Sequence, residues 1–387
     1  MRILIMGNTA NSGYPIANEL RKMNYDVDLA LNLSDTVFCF PQWEEGDVKN
    51  YPDPLKLDPR EILNFWDAPD WIRYFDTYSN VPRKKLLLKK FDSRINLLKI
   101  AREYDFIESH FPYPMYLQFS GIPYITFDTG WIRYAPSGNK FSDILTRRGY
   151  KKSKAIILTN PDTYEIVDNL SYLNKEKIFF APFSIDPEKY KPTDHQKLRE
   201  QFVKENEILL FSPTRQEWNV KGNDKMIKAY AKFVKKFPNS KFVIVNWSVD
   251  KERSKSLVED LGISSNVVWV TPVHKNKLIE YYNASDIVLE QFILGSWGAS
   301  TLEAMSCGKP VLMFYNKNLI LRAFGEEPPI LNSFDEDEIY SNLVMLASDP
   351  EMRKDIGQKS REWIIKTHSP SIVAQRHLEI ILNTTRK

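Results

Sequence analysis

The sequence has few cysteines, no long apolar run and almost no net charge. Its two cysteines, Cys39 and Cys307, have a spacing that fits neither a zinc site nor a redox pair, so we expect a reducing, cytoplasmic setting. No stretch reaches the roughly 18 apolar residues that a membrane-spanning helix needs. The 53 basic and 50 acidic residues nearly cancel, which argues against a nucleic-acid partner.

The apolar residues that are present indicate two α/β domains, which a chain of 387 residues can accommodate. Short apolar runs alternate with helical spacing in two series, which is typical of doubly wound parallel sheets. The predicted strands are Ile3–Met6, Val27–Leu31, Phe106–Ile107, Tyr124–Phe127, Ala155–Thr159, Ile178–Ala181, Ile208–Ser212, Lys241–Asn246, Val267–Val270, Ile287–Glu290 and Val311–Tyr315.

The predicted domain boundary lies where Pro187 and Pro192 interrupt both series. We therefore expect a first domain over 1–190, joined by a last helix over about 370–387, and a second domain over 191–369. A cleft between the two would hold ligands. The aromatic-rich residues from about 38 to 78 predict an insertion of loops and short helices.

Two cations follow the first strand of the second series. Arg215 and Lys221 lie in the loop that leads to a helix predicted over Asn223–Phe237. Ligands bind at the carboxyl ends of strands in doubly wound sheets, and an arginine fork with a lysine charge suits a diphosphate. The alternative is that both are solvated loop charges.

A glycine-containing stretch leads into another predicted helix. Glycine at a helix start lets the backbone approach a phosphate, and the free N–H groups favour its charge, which makes Ser296, Gly298 and Ala299 candidates for donor binding. Glu303, further along the helix, can accept the hydroxyls of a ribose. The alternative is a partly exposed helical carboxylate.

The stretch Gly295–Val311 resembles a segment of the family-4 glycosyltransferases: glutamate, glycine, phenylalanine, glycine, variable residues, then glutamate, alanine, small residues, glycine and proline-valine. Three further stretches resemble that family in the same order, namely Pro182–Pro192, Arg215–Gly222 and Asn266–Asp286. The resemblance runs from about Ala155 to Val311. It implies the GT-B fold, with two facing Rossmann-like domains, and a nucleotide-sugar donor.

The resemblance also implies roles for single residues. Arg215 and Lys221 would hold the diphosphate and stabilise its departing charge, Glu303 would hold the ribose, and the backbone near Val273 would contact the base. Transfer would retain the anomeric configuration. No metal and no further cofactor are expected, because the acidic pairs Asp26/Asp28 and Asp335/Asp337 are better explained by a strand and a helix start.

One position departs from the family pattern. Gly295 stands where the first glutamate is usual, and the spacing does not show whether Glu290 replaces it. Three hypotheses therefore remain: a glycosyltransferase, a nucleotide-sugar-binding protein without transferase activity, and a nucleotide-sugar epimerase on the same fold. The order of the motifs favours transfer.

The first domain offers candidates for the acceptor side. The loop Gly7–Gly13 is not the GxGxxG motif of nicotinamide enzymes, but the backbone at Gly13 can face the donor. Asp128 follows a strand and could be a general base or the cap of the next turn. His110 and Arg133 are candidates for acceptor binding, and the alternative for His110 is a packed loop histidine.

A basic run predicts a peripheral membrane contact. Arg83, Lys84, Lys85, Lys89 and Lys90 flank three leucines and could lie on the inner face of an anionic membrane that carries a lipid-linked acceptor. The alternative is a solvated helix face. The expected acceptor is a hydroxyl of a glycan or of a lipid-linked sugar.

Overall fold

The computed structural model describes residues 1–46, 58, 60–76, 96–134, 138 and 140–385. The chain divides into two compact units. The first unit comprises Met1–Ser184 and Pro370–Lys387, and the second unit comprises Ile185–Ser369. The first unit is therefore built from two separate segments of the chain.

The first unit contains a seven-stranded sheet in the order β3-β2-β1-β4-β5-β6-β7, and each strand is parallel to its neighbour. Its strands are β1 Arg2–Met6, β2 Asp26–Asn32, β3 Ile72–Phe75, β4 Phe106–His110, β5 Tyr124–Asp128, β6 Ile156–Leu158 and β7 Ile178–Phe180. The predicted doubly wound class is confirmed for this unit.

The second unit contains a six-stranded parallel sheet in the order β10-β9-β8-β11-β12-β13. Its strands are β8 Leu209–Ser212, β9 Lys241–Val245, β10 Val267–Val270, β11 Ile287–Leu289, β12 Val311–Met313 and β13 Leu331–Asn332. This order repeats that of the first six strands of the other sheet, so the doubly wound class is confirmed here as well.

Helices connect the strands of both sheets. Their bounds are Gly13–Lys22, Gln42–Glu45, Pro114–Leu117, Phe141–Lys152, Thr163–Asn169, Gln196–Arg199, Trp218–Lys221, Asn223–Val234, Lys251–Asp260, Lys275–Ala284, Ala299–Ser306, Lys317–Phe324, Glu336–Ser348, Pro350–His368 and Pro370–Thr385. Residues 96–101 are also helical. Among the helices of the described ranges, none is long and apolar enough to cross a bilayer.

The last helix completes the core of the first unit. Pro370–Thr385 packs against Gly13–Lys22 and places Val373, Ala374 and Ile381 among the buried residues of that core. These apolar side chains have no exposed surface. The strand residues beneath them therefore depend on the last segment of the chain for part of their cover.

Candidate donor site

The loop that follows β8 carries the two predicted cations and is held by one buried asparagine. The side-chain amide of Asn223 donates to Thr214 Oγ1 at 3.2 Å and to the carbonyl of Arg215 at 3.3 Å. Its oxygen accepts from the backbone N–H of Glu217 at 2.9 Å. These three bonds fix the loop against the start of the helix Asn223–Val234.

A glycine joins this loop to the one that follows β11. Gly222 has a φ of +66°, which ends the short helix Trp218–Lys221 and starts the next helix. A Cβ atom there would lie 3.2 Å from Phe292 Cβ. The N–H of Phe292 donates to the carbonyl of Lys221 at 2.8 Å. The two loops meet because β8 and β11 are neighbours in a parallel sheet.

Lys221 lies between two polar side chains from the loop after β11. Its Nζ is 3.4 Å from Glu290 Oε1 and 3.3 Å from Gln291 Oε1. The side chains of Lys221 and Glu290 are only 14% and 2% exposed. Ser300, in the first turn of the helix Ala299–Ser306, donates to the same Glu290 oxygen at 3.2 Å. Charges this buried interact more strongly than surface charges.

The other predicted cation has a different environment. Arg215 Nε lies 2.9 Å from Glu217 Oε2, and the arginine side chain is 41% exposed. An exposed ion pair of this kind contributes little to stability, so the guanidinium can exchange its partner for a stronger anion at small cost. Within the loop, Lys221 is therefore the less exposed cation and Arg215 the more exposed one.

Glu303 is buried and has a partner on each carboxylate oxygen. The hydroxyl of Tyr282 donates to Oε2 at 3.0 Å, and the ammonium of Lys275 pairs with Oε1. Burial, followed by the charge of Glu303, raises the pKa of Tyr282 well above its usual range, so this hydroxyl remains a donor. Each carboxylate oxygen has two lone pairs, which leaves acceptor capacity for further donors.

One helix connects the cluster of Lys221, Glu290 and Ser300 with the cluster around Glu303. Ser300 and Glu303 are one turn apart in Ala299–Ser306, so they share a face of that helix. Gly298 precedes the helix, with open space where its side chain would be. Ser296 is buried, and its hydroxyl has no hydrogen-bond partner among the described residues.

Val273, the residue that we predict to contact the base, is close in the chain to a partner of Glu303. Val273 is half-buried and stands two residues before Lys275, the partner of Glu303. His274, between them, begins the helix Lys275–Ala284 by accepting the N–H of Asn276 at its Nδ1 atom.

The glycine at position 295 meets a requirement of the backbone. Gly295 has a φ of +68°, a conformation that residues with a Cβ atom rarely adopt. Its carbonyl accepts the N–H of Asn316 at 2.9 Å, which ties this turn to the loop after β12. A glutamate at this position would be strained.

In the first unit, Asp128 is fully buried and bonded to its own domain. Its Oδ1 accepts from the N–H groups of Gly130 at 2.8 Å and Ile132 at 3.2 Å, and its Oδ2 accepts from the hydroxyl of Tyr150 at 2.5 Å. Burial raises the pKa of Asp128, and the Tyr150 bond opposes this rise. The two backbone bonds are those of a cap on the following turn.

His110 and Gly13 pack against each other. His110 is fully buried, its ring meets that of Phe127 edge-on with centroids 4.8 Å apart, and a Cβ atom at Gly13 would lie 3.2 Å from His110 Nε2. Burial, and then the nearby charge of His377, lower the pKa of His110 to about 3. The imidazole is therefore neutral near pH 7.

Arg133 is engaged by a neighbour. Its Nε and Nη2 atoms donate to the two carboxylate oxygens of Asp162, at 2.5 and 2.7 Å. Such a two-bond pair fixes the guanidinium plane. Asp128 and Arg133 both bond Gly130, at its N–H and its carbonyl, whereas His110 packs against Phe127. The basic run from Arg83 to Lys90 lies outside the described residues.

Sequence reasoning gave no role to several residues of this site. Gln291, Ser300, Lys275 and Tyr282 contact the predicted groups through side chains from distant parts of the chain. Lys275, Tyr282 and Ser300 lie in stretches that resemble the family, and Gln291 comes two residues after the end of β11, so resemblance and position were the signals for them. In the parts of the chain that the structure describes, no three His, Cys, Asp or Glu side chains are grouped to hold a metal ion.

The second unit matches a known family. Residues 194–363, somewhat under half of the chain, match the glycosyl transferases group 1 family. The second unit is therefore similar to this family over most of its length. Every group of the Lys221 and Glu303 clusters lies inside the matched range.

Two curated relatives share part of this chain. D-inositol 3-phosphate glycosyltransferase of Acidothermus cellulolyticus is 26% identical over 146 residues, which are 35% of this chain and 33% of the relative. Trehalose synthase of Pyrococcus horikoshii is 25% identical over 225 residues, which are 54% and 53% of the two chains. The chain thus spans a third to about half of the length of these relatives.

Solved structures share the whole fold. Anabaena HepE, in complex with UDP and glucose, is 15% identical, covers 99% of this chain and 100% of its own, and has a TM-score of 0.73. UDP-GlcNAc 2-epimerase of Neisseria meningitidis is 18% identical over 99% and 100% of the two chains, with a TM-score of 0.59. The fold of this chain is GT-B, and the fold alone does not separate transfer from epimerisation.

Proposed function

We propose that the chain is a glycosyltransferase that moves a sugar from a nucleotide-diphosphate donor to a hydroxyl of a glycan or lipid-linked acceptor. The observation that carries the proposal is the partly buried cluster of Lys221, Glu290 and Ser300, which one helix connects to Glu303. This cluster lies in the range that matches the group 1 family, at the carboxyl ends of parallel strands.

The proposed chemistry uses the charges of this cluster. The bond between the anomeric carbon and a phosphate oxygen breaks, and its electron pair remains on the diphosphate. The acceptor oxygen bonds to the same carbon, and its proton passes to a base. Lys221, Arg215 and the N–H groups at the start of Ala299–Ser306 would stabilise the departing charge. We propose that the transfer retains configuration and needs neither a metal nor another cofactor.

The remaining contacts are proposals that follow from the resemblance. Glu303 would accept the ribose hydroxyls, Val273 would contact the base, and the first unit would contribute Gly13 to the donor site and His110, Arg133 and Asp128 to the acceptor side. The complex of HepE with UDP supports UDP as the first nucleotide to test. Membrane contact through Arg83–Lys90, with a cytoplasmic location, remains part of the same proposal.

A second candidate is a nucleotide-sugar-binding protein without transferase activity. Gly295, which removes the family's first glutamate, is the observation that favours it. Epimerisation is the third candidate, because an epimerase shares the fold. A binding protein would leave the bound donor unchanged, and an epimerase would isomerise the donor without an acceptor. A transferase would instead pass the sugar to the acceptor.

The deciding experiment has two stages. Calorimetry with UDP, GDP and ADP and with their glucose or mannose conjugates, with and without magnesium, should reveal one preferred nucleotide whose binding does not require the metal. Incubation of that donor with glycan and lipid acceptors should then release the nucleoside diphosphate. Binding without release supports the second candidate, isomerisation without an acceptor supports the third, and no binding by any nucleotide removes the proposal.

A further inference from the structure

Glu290 is a buried carboxylate that uses only one of its two oxygens. Oε1 faces Lys221 Nζ at 3.4 Å and accepts from Ser300 Oγ at 3.2 Å. Oε2 is buried and has no hydrogen-bond partner among the described residues. A buried carboxylate oxygen without a donor is costly, and such atoms in folded proteins nearly always have a partner. Among the described residues no donor reaches this oxygen, so it can accept a hydrogen bond from a bound ligand.

The position of Glu290 indicates where that donor comes from. It is the first residue after β11, and its ion-pair partner Lys221 lies in the loop after the neighbouring strand β8. The edge at which both strands end is the one that receives ligands in doubly wound sheets. Because Lys221 and Ser300 both engage Oε1, the oxygen that remains for a ligand is Oε2.

The backbone at Gly295 explains why this position does not itself carry a carboxylate. The turn there has a φ of +68°, so a glutamate at this position would be strained. Glu290 is five residues earlier in the chain, at an ordinary position after a strand. Glu290 can thus place a carboxylate at this edge of the sheet without any change in the turn at Gly295.

We propose that Glu290 is the sugar-binding carboxylate of the donor site. Its Oε2 accepts a hydroxyl of the transferred sugar, while its Oε1 orients Lys221 toward the diphosphate. The ligand class is a nucleotide-diphosphate hexose with a free hydroxyl opposite Oε2. The inference rests on the proposed function, because it requires that a nucleotide sugar occupies this edge.

The proposal predicts opposite effects on two ligands. In Glu290→Gln, Lys221 loses its anionic partner, so the affinity for the nucleoside diphosphate should stay equal or rise by up to about tenfold. The nucleotide sugar should bind about 10- to 100-fold more weakly relative to that diphosphate, since a hydrogen bond to a charged acceptor is replaced by a neutral one.

The test is calorimetry of the full chain with UDP and UDP-glucose, or with the nucleotide and conjugate that the wild type prefers in the panel above. Glu326→Gln is the matched control, because Glu326 is a 42% exposed glutamate that also pairs with a lysine, Lys366. The control should bind both ligands as the wild type does. Equal weakening of both ligands in Glu290→Gln, or no change in either, overturns the proposal.

A second measurement needs no variant. Donor analogues that each lack one sugar hydroxyl should bind to the wild type with normal affinity except for one analogue, which should lose about 10- to 100-fold. If every analogue binds as the parent donor does, Oε2 has no sugar partner and the proposal fails. If the wild type binds no nucleotide at all, the proposed function fails first and the role of Glu290 fails with it.

Discussion

The two units have related sheets but place their buried polar groups differently. In the second unit, Lys221 and Glu290 follow the neighbouring strands β8 and β11, Glu303 lies in the helix Ala299–Ser306, and side chains from separate elements hold all three. In the first unit, Asp128 bonds its own turn and Tyr150, while Arg133 bonds Asp162. Both sets join separate elements of the chain, but in the second unit lysine ammonium groups lie against two buried carboxylates, whereas both oxygens of Asp128 already accept from neutral donors.

This difference indicates which half of the proposed reaction the structure supports more strongly. The donor side has a largely buried cation beside a carboxylate, one oxygen of which has no hydrogen-bond partner in the part of the chain that the structure describes. The acceptor candidates are buried or already paired. Four variants test whether the contrast between the units is real.

The largest effect is expected for Lys221→Ala. Loss of this 14% exposed cation, which also leaves Glu290 without its counter-charge, should weaken nucleoside diphosphate binding by about 2–5 kcal/mol. Calorimetry measures the change. Lys366→Ala, at a 67% exposed lysine that pairs with Glu326, is the control and should bind normally. If Lys221→Ala binds nucleoside diphosphates with wild-type affinity, the proposed contrast between the two units is wrong.

The second-largest expected effect is a pH dependence of stability that comes from the first unit. The folded-state pKa of His110 is about 3, below its ordinary value of 6.5, so on acidification the unfolded chain takes up this proton before the folded chain does. Stability is thus lost as pH falls below 6.5, by about 2 kcal/mol at pH 5 from this residue.

Urea unfolding of His110→Gln at pH 7 and pH 5 measures this contribution. The variant should lose less stability than the wild type between the two pH values. His195→Gln, at a half-buried histidine of the second unit, should follow the wild type. If His110→Gln keeps the full pH dependence, His110 is accessible to solvent, which would return it to the acceptor side.

A smaller effect is expected for Glu303→Gln. The substitution keeps the volume and one acceptor but removes the charge, so nucleoside diphosphates should bind about 1–2 kcal/mol more weakly through the lost ribose contact. Pyrophosphate, which has no ribose, should bind at least as well, because Lys275 is released from its partner. Equal weakening of both ligands in calorimetry would contradict the ribose role.

The smallest effect is expected for Asp128→Asn. Asparagine keeps the Oδ1 acceptor for Gly130 and Ile132 but cannot accept the Tyr150 hydroxyl through its amide nitrogen, which should cost about 1 kcal/mol of stability. Donor affinity should not change. A transfer rate about 100-fold lower at unchanged stability would instead identify Asp128 as a general base.

The sequence predicted the second unit in more detail than the first. Arg215, Lys221 and Glu303 could be located because they stand at strand ends or in a helix with a recognisable pattern. The direction of a side chain across neighbouring strands is not encoded locally, so the Lys221–Glu290 and Lys275–Glu303 pairs could not be predicted.

Two strands were not predicted from the sequence, and this too has physical reasons. Ile72–Phe75 is an edge strand of four residues in an aromatic-rich region, and it pairs only with β2. Leu331–Asn332 is two residues long. Neither forms the apolar run of a central parallel strand, because an edge strand is less enclosed.

The two-segment construction of the first unit has a consequence for synthesis. A ribosome releases residues 1–184 long before the helix Pro370–Thr385, so the groove that receives Val373, Ala374 and Ile381 is uncovered while the second unit is being made. The nascent first unit therefore carries a temporary apolar surface. Its core can be completed only once the residues of the last helix have been synthesised.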